Sequence, residues 1–500
     1  MRMLVFLVLL APLMSPANDV YEKHCASCHG ADRLGGIGPA LLPENLGRLK
    51  KAEAAKIIRE SRPGVQMPAF GSILKEEEIS SLVGAIYAPV DRVPRWGGTE
   101  IRASRIAYET SPSEKPRFAA DPLNLFVVVE AGDHHVTILD GDRLEPIHRF
   151  ASRFALHGGP KFTADGRYVY FASRDGWISK FDLWGLELLA EVRAGINTRN
   201  AAVSSDGRYV AVANTLPHSV VLLDSDLRLV KILETGSRVA AVYDAPPRKS
   251  FIVALRDVPE LWEVSYDPQA EPIPQGLVHD FRLKEGTFVP GFLNPRRTAL
   301  EDVLEDFFFT PDFRQVVGAS RAGRRGQVVH LDVRRAVATL DLPGLPHLGS
   351  GISWEREGRR VLATPNLREA VVSVIDVASW KTVKQVATLG PGFFLRSHES
   401  SRYAWVDSMM SPAGRDTLQV IDKETLEVVA RLRPEPGKTL AHVEFDRHGR
   451  YALASLWEED GALIVFDART LSEVKRIPMK KPVGKYNVYN KITASEGTSR

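Results

Sequence analysis

Cysteine is almost absent: two in 500 residues. That is too few for a disulfide framework or a four-thiolate zinc site. Methionine is scarce too, seven in all, three of them before residue 15. No basic tract accompanies the net charge of +3; 65 Lys and Arg face 62 Asp and Glu along the whole chain, so nothing points to nucleic acid. Beyond the first thirteen residues no apolar run is long enough to cross a bilayer. What is present, 44% hydrophobic and 25% charged residues, is the balance of a globular protein too long for one ordinary core.

The exception at the start has a recognisable form. Met1-Arg2-Met3, the apolar run Leu4 to Leu13 and Ser15-Pro16-Ala17 read as a charged region, a hydrophobic region and a small-residue cleavage site. We expect a signal peptide over 1–17 and a periplasmic mature chain. About ten apolar residues cannot span ~30 Å of hydrocarbon as a helix.

Both cysteines fall in Cys25-Ala26-Ser27-Cys28-His29. C-x-x-C-H is the attachment pattern of a covalent c-type haem, in which Cys25 and Cys28 form thioethers and His29 ligates the iron. A zinc half-site would want further ligands at metal spacing, and a redox dithiol a βαβ context; neither lies near. Helices are expected around Tyr21 and Lys23 behind an Asn18-Asp19 cap, over Lys51 to Glu60, and over Lys75 to Ala88, where Ile79, Leu82, Val83 and Ile86 share one face. Between the last two lies Gly64-Val65-Gln66-Met67-Pro68, and Met67 is the expected second axial ligand, with His24 the alternative. Residues 18–90 thus resemble a small all-α class I cytochrome c. Prolines 89, 94, 112 and 116 then mark 91–118 as a linker lying over the next domain.

From residue 119 one pattern recurs. Asp165-Gly166-Arg167-Tyr168 is echoed by Asp206-Gly207-Arg208-Tyr209 and His448-Gly449-Arg450-Tyr451, each feeding a β-rich run and then a second run ending in Asp. Weaker copies begin near Asp121, Pro246, Pro311, Glu355 and Glu399. Eight such units predict an all-β eight-bladed propeller over 119–500, with seven blades the alternative and an inserted loop around 268–290.

With the cysteines spent, a second iron site would rely on histidine. His157 in Leu156-His157-Gly158-Gly159 and His347 in Pro346-His347-Leu348-Gly349 occupy turns between units, beside glycines that let a flat macrocycle approach. His134, His135, His148, His218, His279 and His448 are expected on exposed loops. Leu156-His157, Ser173-Arg174-Asp175-Gly176, Pro346-His347 with Gly349 and Gly351, Ser397-His398 and Gly484-Lys485-Tyr486-Asn487-Val488-Tyr489-Asn490 together resemble the cytochrome cd1 nitrite reductases and their relatives in haem d1 biosynthesis.

That resemblance implies His157 as proximal ligand of a d1-type haem and His347 on its distal side. The reductases carry a second distal histidine in the fifth blade, where this chain reads Phe307-Phe308-Phe309-Thr310-Pro311. Nitrite reduction consumes protons, so losing a donor argues against it. His442, in Ala441-His442-Val443-Glu444-Phe445, stands where the reductases lack histidine, and Tyr486 replaces their phenylalanine. The arrangement looks like that of dihydro-haem d1 dehydrogenases, which oxidise a propionate of the macrocycle to an acrylate. We expect His442 as base near its ordinary pKa, Tyr486 positioning or helping to protonate the side chain, His347 as distal ligand or second proton acceptor, and Arg174 and Arg199 clamping carboxylates. Dihydro-haem d1 is the expected substrate and haem d1 the product. Electrons would pass to a periplasmic acceptor through the c haem, with nitrite reductase and other d1 maturation proteins as further partners. Rival readings are a nitrite reductase, a non-catalytic d1 carrier and an electron-transfer protein alone. His398 is expected to be structural.

Overall fold

The computed structural model describes residues 16–36, 38–47, 49–61, 67–92, 94–110, 113–275, 287–320, 325–494 and 496–498. Apart from Pro16 and Ala17 the expected leader lies outside the described residues, as do Gly64-Val65-Gln66 and His279. The chain forms two compact units that divide between Pro94 and Arg95. Among the described residues no helix is long and apolar enough to cross a membrane.

The first unit holds α1 (Pro16–His24), α2 (Ala26–His29), α3 (Pro43–Leu46), α4 (Lys51–Glu60) and α5 (Glu76–Ile86). Asn18-Asp19 lies inside α1 rather than capping it, since the described part of the helix already runs from Pro16. Lys75 caps α5 instead of opening it: its N–H donates to Glu78 Oε2 at 2.8 Å, and Glu76, Glu77 and Glu78 put negative charge on the helix's positive end. Ile79, Leu82 and Ile86 of α5 are buried in one core with Tyr21, Leu46, Phe70 and Leu74.

The second unit is the eight-bladed propeller, each blade a four-stranded antiparallel sheet, with a fifth strand added in blade two. The innermost strands of blades two to eight are Lys161–Phe162, Asn197–Val203, Val239–Ala245, Asp306–Phe309, Ile352–Arg356, Leu395–Arg396 and Leu440–Phe445. The ring closes through the chain's last strand, Pro482–Asn487, which pairs antiparallel with Leu125–Glu130 as the innermost strand of blade one. Apolar residues of each blade pack against the next; Phe126 and Val128 of blade one join Leu453, Leu463 and Val465 of blade eight, so this sandwich too is filled. Each inner strand is hydrogen-bonded on one side only, and its free edge is short and faces the central channel of the closed ring.

The repeat has a local cause. Gly166, Gly207 and Gly449 all have φ near +70°, the left-handed position of the turn between first and second strands. Asp165 Oδ1 accepts from the Thr163 hydroxyl (2.5 Å) and the Arg167 N–H (3.1 Å) to fix that turn. In blade five Asp312 makes the same two contacts to Thr310 and Arg314, but Phe313 holds the left-handed position at φ +55°. The weak copy therefore keeps the turn's polar frame and loses only its glycine.

Two stretches differ from expectation. Residues 91–118 carry α6 (Gly98–Ser104) and the strand Ile106–Ala107, which adds to blade two opposite Glu191 and Ala190. Ile101 is fully buried in the core between blades two and three, and Trp96 Nε1 donates to the Arg193 carbonyl at 2.8 Å. The insertion in blade four forms a hairpin, Ile273–Gln275 with Thr287–Val289, before the blade's last strand, Pro295–Ala299.

Candidate active site

In the first unit Cys25 and Cys28 are unpaired and half-buried. Burial, and then the neighbouring Cys28, push the Cys25 thiol up to about 11. His29 Nδ1 lies 2.7 Å from the Pro39 carbonyl, so Nδ1–H donates there and Nε2 keeps its lone pair. Burial holds this imidazole below its ordinary pKa despite that bond. Met67 packs on the same core as Cys25 and Phe70, and its carbonyl accepts the Ser61 hydroxyl. Two free thiols, a histidine with an oriented lone pair and a nearby thioether fit a c-type haem.

In the propeller the turns after blades one and five, the bulged inner strand of blade eight and the closing strand converge at the centre of the ring. His157 repeats the device of His29: Nδ1–H donates to the Arg199 carbonyl at 2.7 Å, and the Nε2 lone pair meets Arg199 Nη1 at 3.3 Å. His347 repeats it again, with Nδ1 2.8 Å from the Phe393 carbonyl and Nε2 3.9 Å from Asp306 Oδ2. Burial lowers the His347 pKa while Asp306 opposes the shift. Arg199 also donates Nε–H to the Ala240 carbonyl at 2.8 Å. Arg174 is set beside the His157 turn by its backbone, its N–H bonding Ala155 O and its carbonyl accepting from Thr198.

His442 is built differently. It lies at a register shift between Ala441 and Val443 with φ +50°, a bulge that re-aims its side chain. Phe394 and Tyr486 flank its ring at centroid distances of 4.5 and 5.2 Å, and Phe393 sits 4.1 Å from His347. An aromatic bridge thus connects the two histidines. Tyr486 fits because position 159 is glycine at φ +70°, where a Cβ would stand 3.0 Å from Tyr486 Cε1. His442 is 1% exposed, and neither ring nitrogen has a hydrogen-bond partner among the described residues.

The expectation of a base near pKa 6.5 is corrected here. Burial first, then the charges of Lys485, Arg396 and Lys491, hold His442 well below its ordinary value. Lys485 lies directly behind it, donating to the His442 carbonyl and, at 2.8 Å, to Ser455 Oγ. Burial pushes Tyr486 up to about 12, so its phenol keeps its proton at neutral pH.

Sequence reading missed the groups that hold these side chains. Asp407, 1% exposed, accepts from the N–H groups of Phe393 (2.8 Å), Phe394 (3.1 Å), Met409 (3.4 Å) and His442 (3.5 Å). One carboxylate therefore indexes both histidines. Asp306 accepts from Tyr243 (3.2 Å), Phe307 N–H (3.0 Å) and Gly349 N–H (2.5 Å). Arg396 and Glu444 are buried behind Tyr486. The pair Phe393-Phe394 after Gly390-Pro391-Gly392 was a signal that could have been read; Asp407 carried none. His148 is not in a loop but on the strand Glu145–Ala151, near-parallel to Phe181. His398 is engaged at both nitrogens, by Ser400 Oγ and the Arg447 carbonyl. A separate cleft of about 450 Å³ beside the insertion holds none of these residues, and its Arg248 already pairs with Glu263 and Asp332.

A haem-binding unit joined to a propeller with histidines at its centre defines a class, and comparison with known proteins agrees. The chain belongs to the family of the cytochrome d1 haem domain, whose model matches residues 120–491; residues 13–84 match that of cytochrome c oxidase, cbb3-type, subunit III. It is 54% identical to the dihydro-heme d1 dehydrogenase of Pseudomonas aeruginosa over 97% of this chain and 96% of that one. A solved structure, dihydro-heme d1 dehydrogenase NirN in complex with DHE, superposes with a TM-score of 0.89, covering 96% of this chain and all of that one at 54% identity. The nitrite reductase of Stutzerimonas stutzeri is 25% identical over 95% of this chain and 92% of its own length. The protein is an oxidoreductase with a c-type haem and a role in haem d1 biosynthesis.

Proposed function

We propose that the protein oxidises the propionate side chain of dihydro-haem d1 to the acrylate of haem d1 in the periplasm, as the last step of haem d1 biosynthesis. The observation that carries this reading is the contrast among four histidines. His29, His157 and His347 each donate Nδ1–H to a backbone carbonyl, which leaves Nε2 as the lone-pair nitrogen a metal would take; at His157 Arg199 Nη1, 3.3 Å away, would have to yield it. His442 makes no such bond and stays neutral beside a protonated tyrosine. The first three suit iron ligation, the fourth proton transfer.

Converting CH2–CH2 to CH=CH removes two protons and two electrons. His442 takes the proton beside the conjugated ring, where the charge left behind is delocalised. Tyr486 positions the side chain through its phenol hydrogen. His157 ligates the substrate iron, and His347 ligates it or takes the second proton. Arg174 and Arg199 meet carboxylates of the macrocycle. In the first unit Cys25 and Cys28 would hold a c-type haem through thioethers, and His29 and Met67 are the residues that would ligate its iron. Held there, a c-type haem would supply one-electron transfer, the outlet through which the two electrons of the oxidation would reach a periplasmic acceptor.

Anaerobic incubation with dihydro-haem d1 and a one-electron acceptor should yield a tetrapyrrole lighter by two hydrogens. His442→Ala should bind substrate and leave it unconverted. Full turnover by that variant removes His442 from the mechanism; an unchanged ligand with the wild type favours a carrier, and NO from nitrite favours a reductase.

A further inference from the structure

Two lysines at the ring centre take no part in the mechanism above. Lys161 begins the inner strand of blade two; Lys491 lies in α7 (Val488–Thr493), which follows the closing strand directly. Lys161 Nζ stands 5.7 Å from the ring of Tyr243, on the inner strand of blade four, and Lys491 Nζ 5.4 Å from the ring of Tyr486, on that of blade one. Lys161 and Tyr243 stand on inner strands two blades apart, so their contact passes in front of the inner strand of blade three, on the side that faces the ring's centre. Both lysines are partly exposed there, and among the described residues the Lys161 ammonium has neither a hydrogen bond nor an ion pair.

The charges around them do not balance. Lys161 faces the carboxylate of Asp306; Lys491 faces Arg396, Glu444 and Lys161 itself. Lys485 and Arg199 add further basic groups and Asp407 one more carboxylate, so basic groups still outnumber carboxylates around the pair. Holding like charges together at a site of low dielectric is unfavourable. Burial accordingly pulls Lys161 down to about 8 and Lys491 down to about 7. An anion between them would restore both to full charge.

We propose that Lys161 and Lys491 form a carboxylate-binding pair at the centre of the propeller that takes an acid side chain of the tetrapyrrole and discriminates the free acid from its ester. This rests on the site being that of dihydro-haem d1. It assigns binding and specificity to two residues outside the proton-transfer set. It also gives binding a consequence: a carboxylate there offsets the cations that keep His442 from accepting a proton.

The test is a calorimetric titration of the full chain, c haem attached, with dihydro-haem d1 at about pH 8.5 in two buffers of different ionisation heat. The wild type should take up about one to two protons per ligand bound, because both amines gain charge on binding. Lys161→Met and Lys491→Met should each lower that uptake and weaken binding about tenfold. Lys491→Arg should keep the affinity and lose its share of the uptake, since guanidinium is charged throughout. The methyl ester should bind the wild type as weakly as the free acid binds the double Met variant. Affinity and uptake within about twofold of wild type in the double variant, with the c-haem spectrum unchanged, would overturn the proposal alone. No binding by the wild type would overturn it together with the functional reading.

Discussion

Asp407→Asn tests the frame of the site most directly, because two opposed effects meet on one carboxylate. Burial pushes Asp407 from 3.8 up to about 6, even though four N–H groups favour its charge. Its folded pKa is raised, so the native state binds the extra proton: the resulting penalty is absent below 3.8 and fully present above about 6. At 1.36 kcal/mol for each pH unit it reaches about 3 kcal/mol at pH 8. The amide abolishes that penalty but turns an NH2 group toward N–H donors, at about 1–3 kcal/mol for each one left unmet. The second cost does not vary with pH. The stability difference between variant and wild type should therefore change by about 3 kcal/mol between pH 3.5 and 8, in the variant's favour at high pH. All eight tryptophans lie after residue 95, so urea unfolding followed by their fluorescence reports the propeller alone. Conversion of dihydro-haem d1 should fall meanwhile, because Phe393, which orients His347, and the His442 bulge share this anchor. Parallel pH–stability curves with undiminished conversion would refute the reasoning.

Gly159→Ala should slow conversion more than it weakens binding. A Cβ there meets Tyr486 Cε1 at 3.0 Å with φ at +70°, and the strain should cost about 1–2 kcal/mol of stability. Unaltered turnover would separate Tyr486 from the chemistry. Met67→Ala should lower the reduction potential of the c haem in a spectroelectrochemical titration, since a thioether ligand raises it; an unchanged potential would remove Met67 as a ligand.

What could be read from the sequence is what is written locally. Asp165-Gly166-Arg167-Tyr168 and its echoes announce blades because the turn needs a side-chain acceptor and a left-handed residue in fixed order. Phe313 in that position conceals the same turn from pattern reading, although Asp312 keeps the polar frame. α6 was invisible because seven residues behind Gly97 have little periodicity, and its stability comes from burying Ile101 between two blades. Ala441-His442-Val443-Glu444-Phe445 alternates like a plain strand; only the resemblance drew attention to His442, and the bulge that re-aims it leaves no mark in the letters. Its low basicity was out of reach for the same reason. Arg396 comes from blade seven, and Lys485 and Lys491 from the closing strand and the helix after it, so their sum exists only in the fold.

Ring closure and site assembly are one event in this fold. Pro482–Asn487 zips the first blade to the last by pairing with Leu125–Glu130, in a register that sets Val127 opposite Tyr486 and Val128 opposite Lys485. Alternation along a strand sends those two side chains to opposite faces. Tyr486 turns to the centre beside the His442 ring, while Lys485 turns behind the bulge to bond the His442 carbonyl. A slip of one residue would exchange them, putting a buried cation where the phenol belongs. The helix that follows then delivers Lys491 over the Tyr486 ring, and Asn490 bonds Glu444 at 3.1 Å. The strand that completes the propeller thus brings Tyr486 to the His442 ring and, with the helix after it, adds the Lys485 and Lys491 charges to the burial that lowers the pKa of that histidine.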